Sequence, residues 1–113
     1  LNEVIVKLDK GSIELTDKYP YNSTYIQKIE VGLGTYNENG RWHIAQKGES
    51  MEIDRIINKG ETIEIDPRDF KINRESIDEI KNYWVIFTIW QKESKETGTL
   101  GTSYVHFKEL DKI

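Results

Sequence analysis

No cysteine occurs in the 113 residues, proline occurs only at Pro20 and Pro67, alanine only at Ala45, and histidine only at His43 and His106. Each scarcity excludes something. Without cysteine there is no disulfide, no thiolate metal ligand and no thiol nucleophile. Two histidines cannot build a three-histidine zinc centre, and neither belongs to a His-x-x-x-His or His-Glu pair. There is no Gly-x-Ser-x-Gly elbow. Gly98-Thr99-Leu100-Gly101-Thr102-Ser103 has the glycines of a phosphate loop but lacks the lysine and any following helical pattern, so it reads as a strand connection. No apolar run reaches the 18 residues that would predict a membrane-spanning helix. Lysine and arginine never cluster beyond close pairs, and the formal net charge is −4, which argues against non-specific nucleic-acid binding.

What is abundant points to sheet. Isoleucine is the commonest apolar residue, and β-branched side chains favour strands where alanine would favour helix. With 36% hydrophobic and 32% charged residues, the chain suits a thin two-layer architecture, and 113 residues suit a single domain, 1–113, with one core. The chain starts at Leu1, which leads us to expect a processed or excised product. An extracellular or cell-surface location is expected ahead of a cytoplasmic one.

Two segments nearly repeat. Lys47-Gly48-Glu49-Ser50-Met51-Glu52-Ile53-Asp54 returns as Lys59-Gly60-Glu61-Thr62-Ile63-Glu64-Ile65-Asp66. Each alternates apolar with acidic residues, the period-two signature of a half-buried strand. A three-residue loop at Asn58-Lys59-Gly60, with Gly60 left-handed, would pair the copies as a hairpin. Ile57 would then face Glu61, Arg55 would face Ile63 and Ile53 would face Ile65, whereas a two-residue loop mixes the faces. Glu52 would lie opposite Asp66, and Asp54 opposite Glu64.

Further strands are expected over Glu3–Leu8, Ser12–Thr16, Thr24–Tyr36, a return strand carrying Trp42 and Ile44 inward, Tyr83–Gln91, and Ser103–Lys108 with Val105 and Phe107 inward. In the Thr24–Tyr36 strand Tyr25, Ile29, Val31 and Leu33 share one face, with Lys28 and Glu30 on the other. Asn37-Glu38-Asn39-Gly40 reads as a hairpin turn with two positive-φ positions. Pro67 should end the second repeat strand. One short helical turn is expected near 74–82, where Ser76 and Glu79 form a capping box and Ile77 and Ile80 share a face. About eight short strands without strand–helix alternation predict an all-β, antiparallel β-sandwich. The placement of Ile77, Ile80 and Tyr83 before a very apolar strand resembles the turn entering the penultimate strand of immunoglobulin-like sandwiches. That resemblance implies an immunoglobulin-like or related architecture.

Three sets of residues are candidates for function. The first is the acidic face of Glu52, Asp54, Glu64 and Asp66, whose like charges across one ladder would be relieved by a basic partner or by Ca²⁺ at Asp54 and Glu64. A solvated face partly neutralised by lysine from a neighbouring strand is the plainer reading. The second is the doubly apolar strand. Tyr83, Val85, Phe87 and Ile89 line one face and Trp84, Ile86, Thr88 and Trp90 the other, so the second face must be covered or used. The helical turn is expected to cover Trp84, leaving Trp90 as the candidate for exposure. The third is Tyr19-Pro20-Tyr21, two loop tyrosines offering rigid amphipathic area, with packing over the end of the fold as the alternative. The expected function is a noncatalytic protein-binding module, an accessory domain of a surface protein or a small inhibitor-type protein. A carbohydrate-binding module using Trp42, Trp84, Trp90 or Tyr21 stands as the second reading, and a small hydrolase centred on His43 or His106 as the third. No cofactor is expected.

Overall fold

The computed structural model describes residues 3–6, 11–15, 19–66, 70–73, 75, 77–78 and 81–110. These form eight strands: β1 (Glu3–Val6), β2 (Gly11–Glu14), β3 (Ser23–Tyr36), β4 (Trp42–Asn58), β5 (Thr62–Ile65), β6 (Phe70–Asn73), β7 (Tyr83–Lys92) and β8 (Gly101–Leu110). All pairings are antiparallel. One sheet has four strands in the order β4-β3-β7-β8, and two further sheets pair β1 with β6 and β2 with β5. The number of strands matches the expectation but their identities differ: the return strand and the first repeat copy are one 17-residue strand, β4, and β6 was not expected.

Alternation decides which face of each strand is buried. Ile26, Ile29, Val31 and Leu33 of β3 join Tyr83, Val85, Phe87 and Ile89 of β7 in one buried cluster. The small sheets add Ile13, Ile63, Ile65 and Ile72 to that same cluster, so all described sheets share a core. Val105 and Phe107 pack against it as expected, with the Phe107 ring 4.9 Å from Phe87. Tyr25 departs from its expected face. A register shift between Ile26 and Lys28 reverses the alternation, so Ile26 takes the place in the shared core and Tyr25 turns to the opposite face, where it is still buried. Trp42 and Ile44 are also corrected. Both lie on the outer face, Trp42 against Trp84 and His106, and Ile44 beside Thr88 and Trp90.

The repeat does not form a hairpin. β4 is paired along its length with β3, and β5 pairs with β2, placing Ile63 opposite Ile13, Glu64 opposite Ser12 and Ile65 opposite Gly11. Hydrogen bonds at the connection explain the change. Glu61 N–H closes a turn onto Asn58 C=O, while Lys59 N–H donates to Asn22 C=O and Gly60 N–H to Leu15 C=O. The backbone donors of Lys59 and Gly60 are thereby committed to the segments flanking β2 and β3, and the chain passes from one sheet into another. Gly60 does have the expected positive φ, at 83°. At the β3–β4 turn only Gly40 has positive φ, so Asn39 does not supply a second such position. Gly40 N–H bonds Asn37 C=O and Asn37 N–H bonds Arg41 C=O, the pattern of a three-residue loop with a glycine bulge.

The helical turn expected near 74–82 has no α-helix among the described residues, and Ser76, Glu79 and Ile80 lie outside them, as do Leu8, Thr16 and Pro67. Lys81 N–H closes a single turn onto Asp78 C=O, but two other donors go to side chains. Glu75 N–H bonds Asn73 Oδ1, and Asp78 N–H bonds the Tyr83 hydroxyl, competing with helical pairing.

Candidate functional site

The four acidic residues are divided by the topology. Glu52 and Asp54 stand on β4, Glu64 on β5, and Asp66 follows β5; all four are exposed. Glu52 faces Lys28 in the ladder rather than Asp66, which removes the expected like-charge pairing. Glu52 and Glu64 do border one open groove of about 500 Å³, which Arg55 also lines. Asp54 is held elsewhere and does not meet Glu64. Its carboxylate accepts a hydrogen bond from the Tyr25 hydroxyl and lies 3.7 Å from Lys95 Nζ. Among the described residues no three His, Asp or Glu side chains converge as a metal site.

The Tyr25–Asp54 contact sets the ionisation of both groups. The hydrogen bond from Tyr25, followed by the charge of Lys95, holds the Asp54 carboxyl below its ordinary value. The same hydrogen bond, followed by desolvation, raises Tyr25. Asp54 sits at a bulge with φ of 45°, a left-handed conformation that aspartate tolerates better than most residues, and it is the single non-glycine case among the described residues.

The outer face of the four-stranded sheet is aromatic. Trp84 packs with Tyr36, Trp42 and His106, at ring separations of 6.0, 5.8 and 6.4 Å. These rings supply the cover expected from the helical turn. Ile86, beside them on β7, has no exposed surface. Trp90 is half-buried, with Lys28 Nζ 5.0 Å from its ring centre, close enough for a cation–π contact. His43 and His106 are both exposed, but on β4 and β8 respectively, and only His106 joins the aromatic group.

The tyrosine loop borders an apolar hollow of about 410 Å³. Tyr19 and Pro20 form one wall and Ser103, Tyr104 and Val105 of β8 another, while buried Ile13, Ile26 and Ile57 supply part of its floor. Tyr21 contacts Tyr19 edge-on at 5.7 Å and is itself 54% exposed. The hollow adjoins β8, whose outer edge pairs with no strand among the described residues. The structure thus joins the tyrosine loop to a strand edge that sequence reading had not connected with it. Tyr104, 50% exposed, was overlooked as a candidate. Its place between inward Val105 and the preceding inward position was the available signal.

Comparison of the chain with protein-family models, with curated proteins and with solved structures finds no match.

Proposed function

We propose that this is a noncatalytic interaction module of immunoglobulin-like sandwich architecture that captures an extended segment of another protein. The observation that carries the reading is the apolar hollow of about 410 Å³ lying alongside the open edge of β8. An extended partner can continue a sheet by main-chain hydrogen bonds while an alternate side chain enters an adjoining pocket. Here the edge would supply the bonds, and the hollow would select an apolar side chain. Tyr104 on the lining, and Tyr21 packed on Tyr19 of the lining, offer rigid amphipathic area. The net charge of −4 favours a partner bearing basic residues.

The architectural part of the proposal is supported by the core shared between the four-stranded sheet and the small sheets, as two packed layers require. It is also supported by Tyr83. Its hydroxyl accepts from Asp78 N–H five residues upstream, at the entry to the penultimate strand, where immunoglobulin-like domains carry a tyrosine corner. The noncatalytic part rests on the lack of thiols and on two histidines that share no strand.

The test is selection of binders from a displayed library of random linear peptides, followed by amide hydrogen exchange of the complex. Protection concentrated in residues 101–110, with binding weakened by Tyr19→Ala, is the expected result. Binders that protect another edge or face, or a library that yields none, would overturn the reading.

A further inference from the structure

The middle of the outer sheet face is hollow because two of its side chains are small or absent. Register sets Glu30 of β3 opposite Thr88 of β7, and Thr88 opposite Tyr104 of β8, while Gly32 stands next along the same face of β3. Trp90 rises on one side and Ile44 with Lys47 on the other, enclosing about 280 Å³. Gly32 cannot be filled in, because a Cβ there would meet the Gln46 carbonyl oxygen at 2.8 Å.

The lining has a particular chemistry. Trp90 and Tyr104 offer aromatic surface, Thr88 and Thr102 offer hydroxyls, and Glu30 and Lys47 offer one charge of each sign. The indole N–H groups of Trp42 and Trp90 are both buried without a hydrogen-bond partner among the described residues, and of the two only Trp90 borders this hollow. Such a donor left unmet is unfavourable, and native proteins seldom leave one so. Lys28 holds the Trp90 ring from the neighbouring strand and also pairs with Glu30 at 3.3 Å, so the aromatic wall and the carboxylate are positioned together.

We propose that this hollow binds a single ring of a neutral saccharide. A sugar ring carries apolar C–H faces that suit Trp90 and Tyr104, and hydroxyls that both donate and accept, as this mixed lining demands. Other ligand classes fit less well. A phosphate would face the Glu30 carboxylate, and a purely apolar ligand would desolvate Glu30 and Lys47 without replacing their hydrogen bonds. A peptide strand would find no ladder, since β3 and β7 at the centre of the hollow are each paired on both sides. The site needs no partner strand on β8.

Three tryptophans give three indole N–H resonances in a ¹H–¹⁵N spectrum, and Trp90→Phe identifies the one from Trp90. The protein is titrated separately with glucose, galactose, mannose, N-acetylglucosamine and, as the anionic arm, inorganic phosphate. At least one sugar is expected to shift the Trp90 indole resonance to saturation while phosphate leaves it in place. Thr88→Ile, which fills the hollow with another β-branched side chain, should lower the affinity about tenfold or more. Thr102→Val, which deletes only a rim hydroxyl, should lower it to a lesser degree and serves if Thr88→Ile does not fold. The proposal is overturned if no sugar moves that resonance, if phosphate alone moves it, or if the folded variants bind sugar as tightly as the parent.

Discussion

The indole of Trp42 occupies the space that a side chain at Gly34 would need. A Cβ built on Gly34 would lie 2.1 Å from Trp42 Cζ2 and 2.6 Å from Cη2. Trp42 is in turn packed on Trp84 and His106, so its ring cannot simply swing away. Glycine in the middle of a strand is normally a weakness. Here it lets a ring from β4 lie across β3 and cover β7.

Gly34→Ala should therefore destabilise the fold by about 1–3 kcal/mol through overpacking, despite alanine's better strand propensity. Chemical unfolding checks the magnitude, and near-ultraviolet circular dichroism should show the tryptophan signals altered. An unchanged midpoint would mean that Trp42 does not rest on this glycine.

Gly60→Ala should also destabilise, by about 1 kcal/mol, but for a different reason. No atom lies within 4 Å of a Cβ built there, so the penalty comes from φ of 83° and not from contact. Gly60→Asn should recover part of the loss, because asparagine tolerates the left-handed region. Equal midpoints for all three proteins would show that the turn is not built on positive φ.

The Tyr25–Asp54 bond should appear in the pH dependence of stability. Asp54 is lowered in the folded state by its hydrogen bond from Tyr25 and by Lys95. Its contribution is thus fully present above the unfolded carboxylate pKa of about 3.9 and is lost as pH falls through the lower folded value. Tyr25 is raised, so its contribution is present below the ordinary tyrosine value of about 10 and is lost as pH rises through the higher folded one. Asp54→Asn keeps a residue suited to positive φ while removing the charge. Its deficit relative to the parent, from urea midpoints, should shrink as pH falls below about 4. Parallel curves across that window would remove Asp54 as the source of the acid limb.

Strand identity was legible in the sequence wherever one face is apolar. The inward positions of β3 and β7 follow from alternation because every second residue there reaches the core. What alternation could not supply was the partner of each strand. The two repeat copies carry matching apolar faces, and those faces would meet equally well side by side in one sheet or across a core from two. The choice was made by backbone bonds from Lys59 and Gly60 to Asn22 and Leu15, which are remote in sequence. Bulges were illegible for the same reason. The shift that turns Tyr25 to the opposite face and brings it to Asp54 changes the register by one residue, leaving no mark in the composition of either strand.

Strand pairing at the repeat can be tested directly, because the chain has no cysteine to interfere. Ser12 and Glu64 are opposite each other in the β2–β5 ladder. Directly opposed positions of that kind fall near the Cα separation of about 4.4–6.8 Å that a disulfide requires. The Ser12→Cys, Glu64→Cys pair should oxidise to an intramolecular bridge and raise stability by about 2–4 kcal/mol. The Glu52→Cys, Asp66→Cys pair is the control. A flat hairpin of the two repeat copies would set these positions across one ladder, whereas Glu52 lies on β4, paired with β3, and Asp66 follows β5, paired with β2. It should remain reduced under the same conditions, as read by thiol counting and intact mass. Bridging of the control pair in preference to Ser12 and Glu64 would restore the hairpin and reunite the acidic residues on one face. It would also withdraw β5 from β2, and the part of the floor that Ile13 of β2 gives the hollow beside β8 would have to be drawn again.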